Sequence, residues 1–418
     1  MFKSRNSLLA VLFALVVLCL AFAEAAPQRN NGNGNNGNGS NGNGNNGNGN
    51  NGNGNNGNGK NNNGNGGNGG KNGGQKLTAQ EKAAQKPGGI STAKDGSTTL
   101  DMTVQINNLP IRFRVSAPAD QFTAASGVQG AQAAPNTDGA IGMNVLLHGD
   151  GGQSFFAFPN EGVNSNLMGV AVLAPDPNLK WGGADQNGVQ RPQGAEHSAA
   201  VNELITNVLP EMVTFNKSNV FFMGVSGGSL TLAGFFMPAF MGNYPNAGVM
   251  LSCGGLEPQV PIAANASDAL QNTKIHFQST QQELASLQGL IPATIKAYEA
   301  AGQKAGLSDN QINALQTVDN TPNGGHCAFD GKDFESGVQL LADNYANIML
   351  DGGNGQLQGT GDVLNGVVGN ENLQFSQGQG QGQGKKQGQG QKQSQGQKQG
   401  QGQQQGQGQQ RGQGQGRN

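Results

Sequence analysis

Short apolar runs, separated by polar or glycine-rich segments, occupy the middle of the chain. The first two, Thr98–Ile106 and Ile111–Ser116, flank Asn107-Asn108-Leu109-Pro110 and predict an antiparallel hairpin. The later runs lack strict alternation of polar and apolar residues, which is typical of strands buried on both faces of a parallel sheet. These later runs are Met143–Leu147, Val170–Leu173, Asn219–Met223, Gly248–Leu251 and Lys274–Gln278.

Segments with helical periodicity alternate with these predicted strands. Apolar residues recur at helical spacing from Val201 to Met212. Further helices are expected after Ser226, around Ala293–Ala301 beyond a break at Pro292, and over Phe334–Leu350. The pattern predicts an α/β fold: a mainly parallel sheet with an N-terminal antiparallel hairpin and flanking helices. Such sheets carry their functional sites at the carboxyl ends of the strands.

The N-terminal segment has the composition of a targeting sequence. Residues 1–26 begin with Lys3 and Arg5, continue through an apolar stretch from Leu8 to Phe22, and end in small residues, as signal peptides do. The apolar stretch is shorter than the roughly 20 residues that span a bilayer. We therefore expect a secreted protein, extracellular or associated with a cell wall, without a membrane span; an uncleaved anchor is the alternative.

Two low-complexity segments enclose the predicted domain. Residues 27–76 are almost entirely Asn and Gly, and residues 376–418 are mostly Gln and Gly with six basic and no acidic side chains. Neither segment has apolar side chains to bury, so both are expected to be disordered. Their role stays open between a spacer and contact with cell-wall or acidic polymers. Residues 77–375 remain as one domain.

The distribution of charge excludes one class of partner for this domain. The whole chain has a formal net charge of −2, yet residues 77–375 hold 25 acidic and 12 basic side chains, a net charge of −13. An acidic surface repels phosphate groups, which argues against nucleic acid as the partner of the domain.

Cysteines and asparagines suggest two covalent modifications of a secreted chain. Cys19 would leave with the signal peptide, so Cys253 and Cys327 remain and suggest one disulfide, with two free thiols as the alternative. Asn38, Asn216 and Asn265 each begin an Asn-x-Ser sequence and are candidate glycosylation sites.

The most informative motif is Gly224-Val225-Ser226-Gly227-Gly228. It stands between a predicted strand and a predicted helix, where Gly-x-Ser-x-Gly forms a sharp turn that exposes a nucleophilic serine. A second motif, His148-Gly149-Asp150-Gly151-Gly152, follows another predicted strand. The amides of Gly149, Asp150 and Gly151, with that of Gly227, are candidate donors to an oxyanion; a plain glycine-rich turn is the alternative.

A nucleophilic serine needs a base, and four histidines are available. His326, in Asn323-Gly324-Gly325-His326-Cys327, stands on a late glycine-rich loop and is the best candidate. His276 lies within an apolar run and is expected in the core. His148 belongs to the glycine turn, and His197 begins the amphipathic helix. Their spacing suggests no metal cluster.

The acid that orients the histidine is expected in the turn after the strand Lys274–Gln278. Glu283 is the first choice there, with Asp319 and Asp268 as alternatives. An aspartate is more common at this position, and a surface role for Glu283 is also open.

In this order, the three glycine motifs around His148, Ser226 and His326 resemble those of secreted α/β-hydrolase-fold serine esterases, of the carbohydrate-esterase, feruloyl-esterase and polyhydroxybutyrate-depolymerase type. The resemblance covers about residues 95–350 and implies Ser226 as nucleophile and His326 as base. It also implies an ester-bearing substrate and no metal or organic cofactor; whether the ester is linked to a polysaccharide or another polymer stays open. The acid departs from the usual aspartate.

Two questions remain open at this level. Trp181 is compatible with stacking against a substrate ring or with ordinary packing, and the latter is favoured; Phe155, Phe156 and Phe158 are core or pocket wall. The long tails and the unusual acid are also compatible with a catalytically silent structural or adhesion protein on a hydrolase scaffold. A peptidase or transferase with the same acyl-enzyme chemistry is a third possibility.

Overall fold

A sheet of eleven strands runs through the part of the chain that the computed structural model describes, residues 77–350 and 365–376. The strands are β1 (Gly89–Thr92), β2 (Thr98–Ile106), β3 (Leu109–Ala117), β4 (Gly142–Leu147), β5 (Val163–Asn164), β6 (Leu167–Leu173), β7 (Val220–Val225), β8 (Gly248–Ser252), β9 (Lys274–Gln278), β10 (Gln316–Asp319) and β11 (Asn365–Gly366). The expected signal peptide, both expected disordered tails (apart from Ser376) and Asn38 lie outside the described residues.

The strand order is β1-β2-β3-β6-β4-β7-β8-β9-β10-β11, with β5 paired to β6. Strand β1 pairs antiparallel with β2, β2 with β3, and β3 with β6. The next strands in the order, from β6 through β4, β7, β8 and β9 to β10, run parallel to one another. The expected architecture, a mainly parallel sheet with an antiparallel N-terminal hairpin, is therefore confirmed.

The hairpin turn is tighter than the sequence predicted. Only Asn107 and Asn108 form it, with φ angles of 51° and 65°. Asparagine tolerates this left-handed region better than most residues, and two consecutive positive φ angles match the twist of a two-residue hairpin. The predicted four-residue turn was wrong because Leu109 and Pro110 already belong to β3, where Pro110 lies opposite Gln105.

Helices cover both faces of the sheet. They are α1 (Ala79–Ala84), α2 (Gln153–Phe156), α3 (Gly194–Glu203), α4 (Leu209–Met212), α5 (Gly227–Thr231), α6 (Met237–Phe240), α7 (Ala264–Ala269), α8 (Ala285–Gln288), α9 (Leu290–Lys304), α10 (Asp309–Leu315), α11 (Phe334–Asp343) and α12 (Tyr345–Met349). Two π-helical turns, Leu204–Val208 and Leu232–Phe236, join α3 to α4 and α5 to α6. No helix within the described ranges is long and apolar enough to cross a membrane.

Two helices and one strand differ from the sequence prediction. The helix expected from Ala293 begins at Leu290. Pro292 lies in its first turn, where backbone N–H groups have no partner within the helix, so the N–H that proline lacks breaks no helical hydrogen bond. The helix expected over Phe334–Leu350 is interrupted at Asn344. Strand β10 was not predicted; it has four residues and follows a helix directly.

Alternate side chains of the central strands enter two separate apolar layers. Val145 of β4 and Phe222 of β7 pack on the face covered by α3 and α9, whereas Leu146 and Met223 pack on the face covered by α2, α11 and α12. Successive strand residues point to opposite faces, so a central strand covered on both sides needs a continuous apolar run. This burial fixes the strand ends from which the functional loops emerge.

Candidate active site

Ser226 lies on a strained turn between β7 and α5. Its φ and ψ angles are 50° and −114°, outside the regions that L-residues favour. A Cβ atom at Gly224 would approach the Cα of Ser229 to 2.7 Å, and one at Gly228 would overlap the carbonyl oxygen of Leu147. Only glycine fits at these two positions, so the motif turns sharply and leaves the Ser226 side chain partly accessible.

His326 contacts both Ser226 and Glu283. Its Nε2 atom lies 2.9 Å from the Ser226 hydroxyl oxygen, and its Nδ1 atom lies 2.5 Å from Oε1 of Glu283. An ionised carboxylate only accepts hydrogen bonds, so it holds the hydrogen of the imidazole on Nδ1 and leaves Nε2 as an acceptor. The serine is thereby positioned to donate its proton to Nε2.

Glu283 reaches the histidine from a loop that starts after β9. Its side chain is fully buried; Oε1 also accepts a hydrogen bond from the Leu284 amide at 2.7 Å, and Oε2 accepts one from the Ser279 hydroxyl at 3.3 Å. Both oxygens of the carboxylate therefore have hydrogen-bond partners inside the protein. The methylene by which glutamate is longer than aspartate is buried with the rest of the side chain.

The two alternative acids are elsewhere. Asp319 accepts hydrogen bonds from the amide and hydroxyl of Thr321 and from the side-chain amide of Gln278. Asp268 is exposed on α7. Within the described residues, the hydrogen bonds of His326 go to Ser226 and Glu283 and to neither of these two acids.

A disulfide joins Cys253, after β8, to Cys327, the residue that follows His326. The same loop is held by two hydrogen bonds from the turn that carries the acid: Thr280 donates from its hydroxyl to Gly325, and the Gln282 amide donates to Gly324. Hydrogen bonds to the backbone therefore join the loops of His326 and Glu283, in addition to the contact between their two side chains.

The glycine loop after β4 offers fewer free amides than the sequence predicted. The Gly149 amide donates to the Ser154 hydroxyl at 3.2 Å, and the Gly151 amide donates to the carbonyl of Leu179 at 2.9 Å. Both are engaged, so neither is available to an oxyanion. Within the described part of the chain, the amides of Asp150 and Gly227 carry no such bond; they remain as the pair of candidate donors.

The other three histidines are buried, and His148 and His197 form hydrogen bonds with the backbone. His148 donates from Nδ1 to the Gly149 carbonyl at 2.6 Å and accepts at Nε2 from the Ala174 amide at 2.9 Å. Burial lowers the pKa of His148 to about 4, and it lowers the pKa of His197 to about 4 as well. His276, expected in the core, is buried between Thr317 and Gln278. His148 thus anchors the glycine loop to the strand beside it.

The aromatic residues divide between core and rim. Trp181 is completely buried between His148 and His197. Its ring cannot stack against a substrate, and it packs in the core instead. Phe155 and Phe158 are buried too. Phe156 is half-buried beneath the ammonium group of Lys86, 3.9 Å from the ring centre.

Two residues at the site were not singled out from the sequence. Phe334 is partly exposed, and its ring lies against Gly149 and 6.2 Å from the imidazole of His326, centroid to centroid. Arg191 is buried and forms a two-point ion pair with Asp150. Neither lies in a motif: Phe334 is only the first residue of a predicted helix, and Arg191 is 41 residues from its partner.

The candidate glycosylation sites and possible metal ligands add no further chemistry here. Asn265 is exposed on α7, and Asn216 is half-buried in a turn where its side chain accepts from the Ser218 amide. Over residues 77–350 and 365–376, no three His, Cys, Asp or Glu side chains form a group that could hold a metal ion.

The strand order, with a nucleophile turn after β7 and a histidine loop after β10, defines an α/β-hydrolase fold. No family model matches the chain, and no curated protein matches it. Among solved structures it is similar to a thermostable esterase, with 15% identity, 59% of this chain and 60% of that chain covered, and a TM-score of 0.40.

Two further similar structures have matching levels of likeness. The feruloyl esterase module from Clostridium thermocellum has 12% identity, with 60% of this chain and 88% of that chain covered and a TM-score of 0.36. Acyl-protein thioesterase 2 from Zea mays has 15% identity, with 50% and 96% covered and a TM-score of 0.34. At this level of likeness, the chemistry has to be inferred from the residues of this chain.

Proposed function

We propose that the chain is a serine hydrolase that cleaves carboxylic esters through Ser226, His326 and Glu283. The observation that carries the proposal is the continuous hydrogen-bonded series from the Ser226 hydroxyl, through both nitrogens of His326, to the buried carboxylate of Glu283. A nucleophile, a base and an orienting acid within hydrogen-bond reach are what acyl transfer by serine requires.

The reaction proceeds in two halves. The Ser226 oxygen attacks the ester carbonyl carbon while its proton passes to Nε2 of His326, and a tetrahedral oxyanion forms. The amides of Asp150 and Gly227 donate hydrogen bonds to that oxyanion. The intermediate collapses, the alcohol leaves with the proton from His326, and an acyl group stays on Ser226. Water then attacks the acyl carbon and gives a proton to Nε2 of His326, which forms a second tetrahedral intermediate. That intermediate collapses, the bond to the Ser226 oxygen breaks, His326 returns the proton to that oxygen, and the acid is released.

The accessible surroundings of Ser226 include one apolar surface. Phe334, half-exposed beside the imidazole, supplies an apolar surface for the acyl or alcohol group of an ester. We propose an ester-bearing substrate, with polysaccharide- or polymer-linked esters as the class to screen first. Comparing p-nitrophenyl esters with matched anilides distinguishes an esterase from a peptidase, because only the latter hydrolyses both readily.

Secretion is part of the proposal. Residues 1–26 have the pattern of a signal peptide, and the disulfide between Cys253 and Cys327 suits an oxidising compartment. The low-complexity tails would then extend from an extracellular or wall-associated enzyme.

Hydrolysis of p-nitrophenyl acetate by the purified full chain tests the proposal. The wild-type protein is expected to turn over, and Ser226→Ala and His326→Ala are each expected to lose activity by at least about a thousandfold. Equal, slow hydrolysis by the wild type and both variants would favour a catalytically silent scaffold.

A further inference from the structure

The two terminal nitrogens of Arg191 make four hydrogen bonds beside the proposed oxyanion site. Its side chain is 1% exposed. One terminal nitrogen donates to Oδ1 of Asp150 at 2.8 Å and to the Trp181 carbonyl at 2.7 Å. The other donates to Oδ2 of Asp150 at 2.9 Å and to the Gly188 carbonyl at 2.9 Å. The guanidinium therefore fixes both oxygens of one carboxylate and ties them to the loop between β6 and α3.

The carboxylate that Arg191 holds belongs to one of the two proposed oxyanion donors and touches the other. A Cβ atom added to Gly227 would overlap Oδ1 of Asp150 and would lie 3.0 Å from a terminal nitrogen of Arg191. The Asp150 side chain thus lies directly over Gly227, the second residue whose amide is proposed to donate to the oxyanion. The position of this side chain is therefore coupled to that of the Gly227 backbone.

A carboxylate this close to a forming oxyanion is an electrostatic problem. An unpaired negative charge beside the tetrahedral intermediate would oppose the negative charge that develops there, and poor solvation would strengthen the repulsion. Arg191 neutralises that charge in a two-point ion pair.

We propose that Arg191 is a positioning residue of the oxyanion site: through Asp150 it fixes the amides of Asp150 and Gly227 and cancels the charge of the Asp150 carboxylate. The inference rests on the proposed function. Arg191 itself does not touch the reacting atoms; its effect passes through Asp150, and it is realised in the transition state rather than in substrate binding.

The chain contains a matched control for this ion pair. Arg112 also binds both oxygens of an aspartate, with Nε 2.7 Å and one terminal nitrogen 2.9 Å from Asp101. It also donates to backbone carbonyls, among them that of Ala83, and it joins β2 to β3. Arg112→Met removes a similar partly buried ion pair without touching the loops that carry Ser226, His326 and Asp150.

The test compares Arg191→Met with Arg112→Met in the full chain, using p-nitrophenyl acetate as substrate and phenylboronic acid as a tetrahedral analogue. Arg191→Met is expected to lower kcat by about 10- to 100-fold with KM changed less than about threefold, and to weaken the boronic acid by a similar factor. Arg112→Met is expected to keep kcat within about twofold of the wild type while it lowers the melting temperature.

Equal kcat values in the two variants, or a rise in KM with kcat unchanged, would overturn the inference. If Arg191→Met does not fold, Arg191→Lys decides: a lysine keeps the charge but not the two-point geometry, so kcat and boronic acid affinity should fall together by about fivefold or more, and an unchanged kcat would reject positioning. Failure of the proposed function looks different, because then the wild type itself does not turn over, and the inference falls with it.

Discussion

Glu283 and His326 share a hydrogen bond of 2.5 Å, although they lie 43 residues apart on different loops. The carboxylate is fully buried and accepts two further hydrogen bonds from its own turn. Position and burial together bring the Glu283 carboxylate to the imidazole through the protein and not through solvent, which fits the acid role proposed for it.

Replacing this acid tests its role. Glu283→Gln keeps the shape but donates from its amide nitrogen, which favours the wrong imidazole tautomer, so we expect kcat to fall by about a thousandfold or more. Asp319→Asn is the matched control, since Asp319 is also a buried acid, at the end of the neighbouring strand β10, and its side chain bonds to Thr321 and Gln278. Steady-state kinetics on p-nitrophenyl acetate distinguishes them; a larger loss in Asp319→Asn would assign the role to Asp319.

The disulfide is expected to stabilise both the fold and the histidine loop. Cys253 and Cys327 close a loop with a sequence separation of 74 residues. The double variant Cys253→Ser/Cys327→Ser should lose about 2–4 kcal/mol of unfolding free energy, and its kcat should fall because His326 is adjacent to Cys327. Dithiothreitol should lower the activity of the wild type but leave that of the double variant unchanged. Full activity after verified reduction would contradict the prediction.

The strained backbone at Ser226 predicts that the protein is more stable with glycine at this position than with alanine. At φ 50° and ψ −114° a glycine is less strained than any L-residue. Ser226→Gly should therefore be more stable than Ser226→Ala by about 1 kcal/mol, with both inactive, because each lacks the nucleophile. Urea unfolding monitored by circular dichroism compares the two; equal stabilities would show that the turn stores no such strain.

Buried His148 makes stability depend on pH. Its pKa is lowered to about 4 in the folded state by burial, whereas the unfolded side chain titrates near 6.5. Above pH 6.5 both states are neutral and the folded state is fully stable; as pH falls from about 6.5 to 4 the unfolded state takes up a proton and the folded state does not. His148 alone should cost about 2 kcal/mol at pH 5.

His148→Asn checks this sign. An asparagine amide can donate to the Gly149 carbonyl as Nδ1 of His148 does, but it is too short to accept from the Ala174 amide. It does not titrate, so its loss of stability should be the same at both pH values. The difference in unfolding free energy between pH 7.5 and pH 5 should therefore shrink by about 2 kcal/mol in the variant. An unchanged difference would mean that His148 does not contribute to acid sensitivity.

The sequence predicted those features of the fold and the candidate site that depend on consecutive residues. Gly224 and Gly228 mark the nucleophile turn because their neighbours leave no room for a side chain, and the apolar runs mark strands buried on both faces. Contacts between distant segments were not predictable in this way. The partner of Asp150 is 41 residues away, and the use of the Gly149 and Gly151 amides by Ser154 and Leu179 depends on how the loop folds back.

Mapping the site of reaction with a fluorophosphonate probes the central claim most directly, because such reagents modify activated serines. The wild-type chain is expected to gain one label, found by mass spectrometry on the peptide that contains Ser226, and both Ser226→Ala and His326→Ala should remain unlabelled. A folded wild-type protein without label, or with a label on another serine that persists in Ser226→Ala, would contradict the assignment of Ser226 as an activated nucleophile.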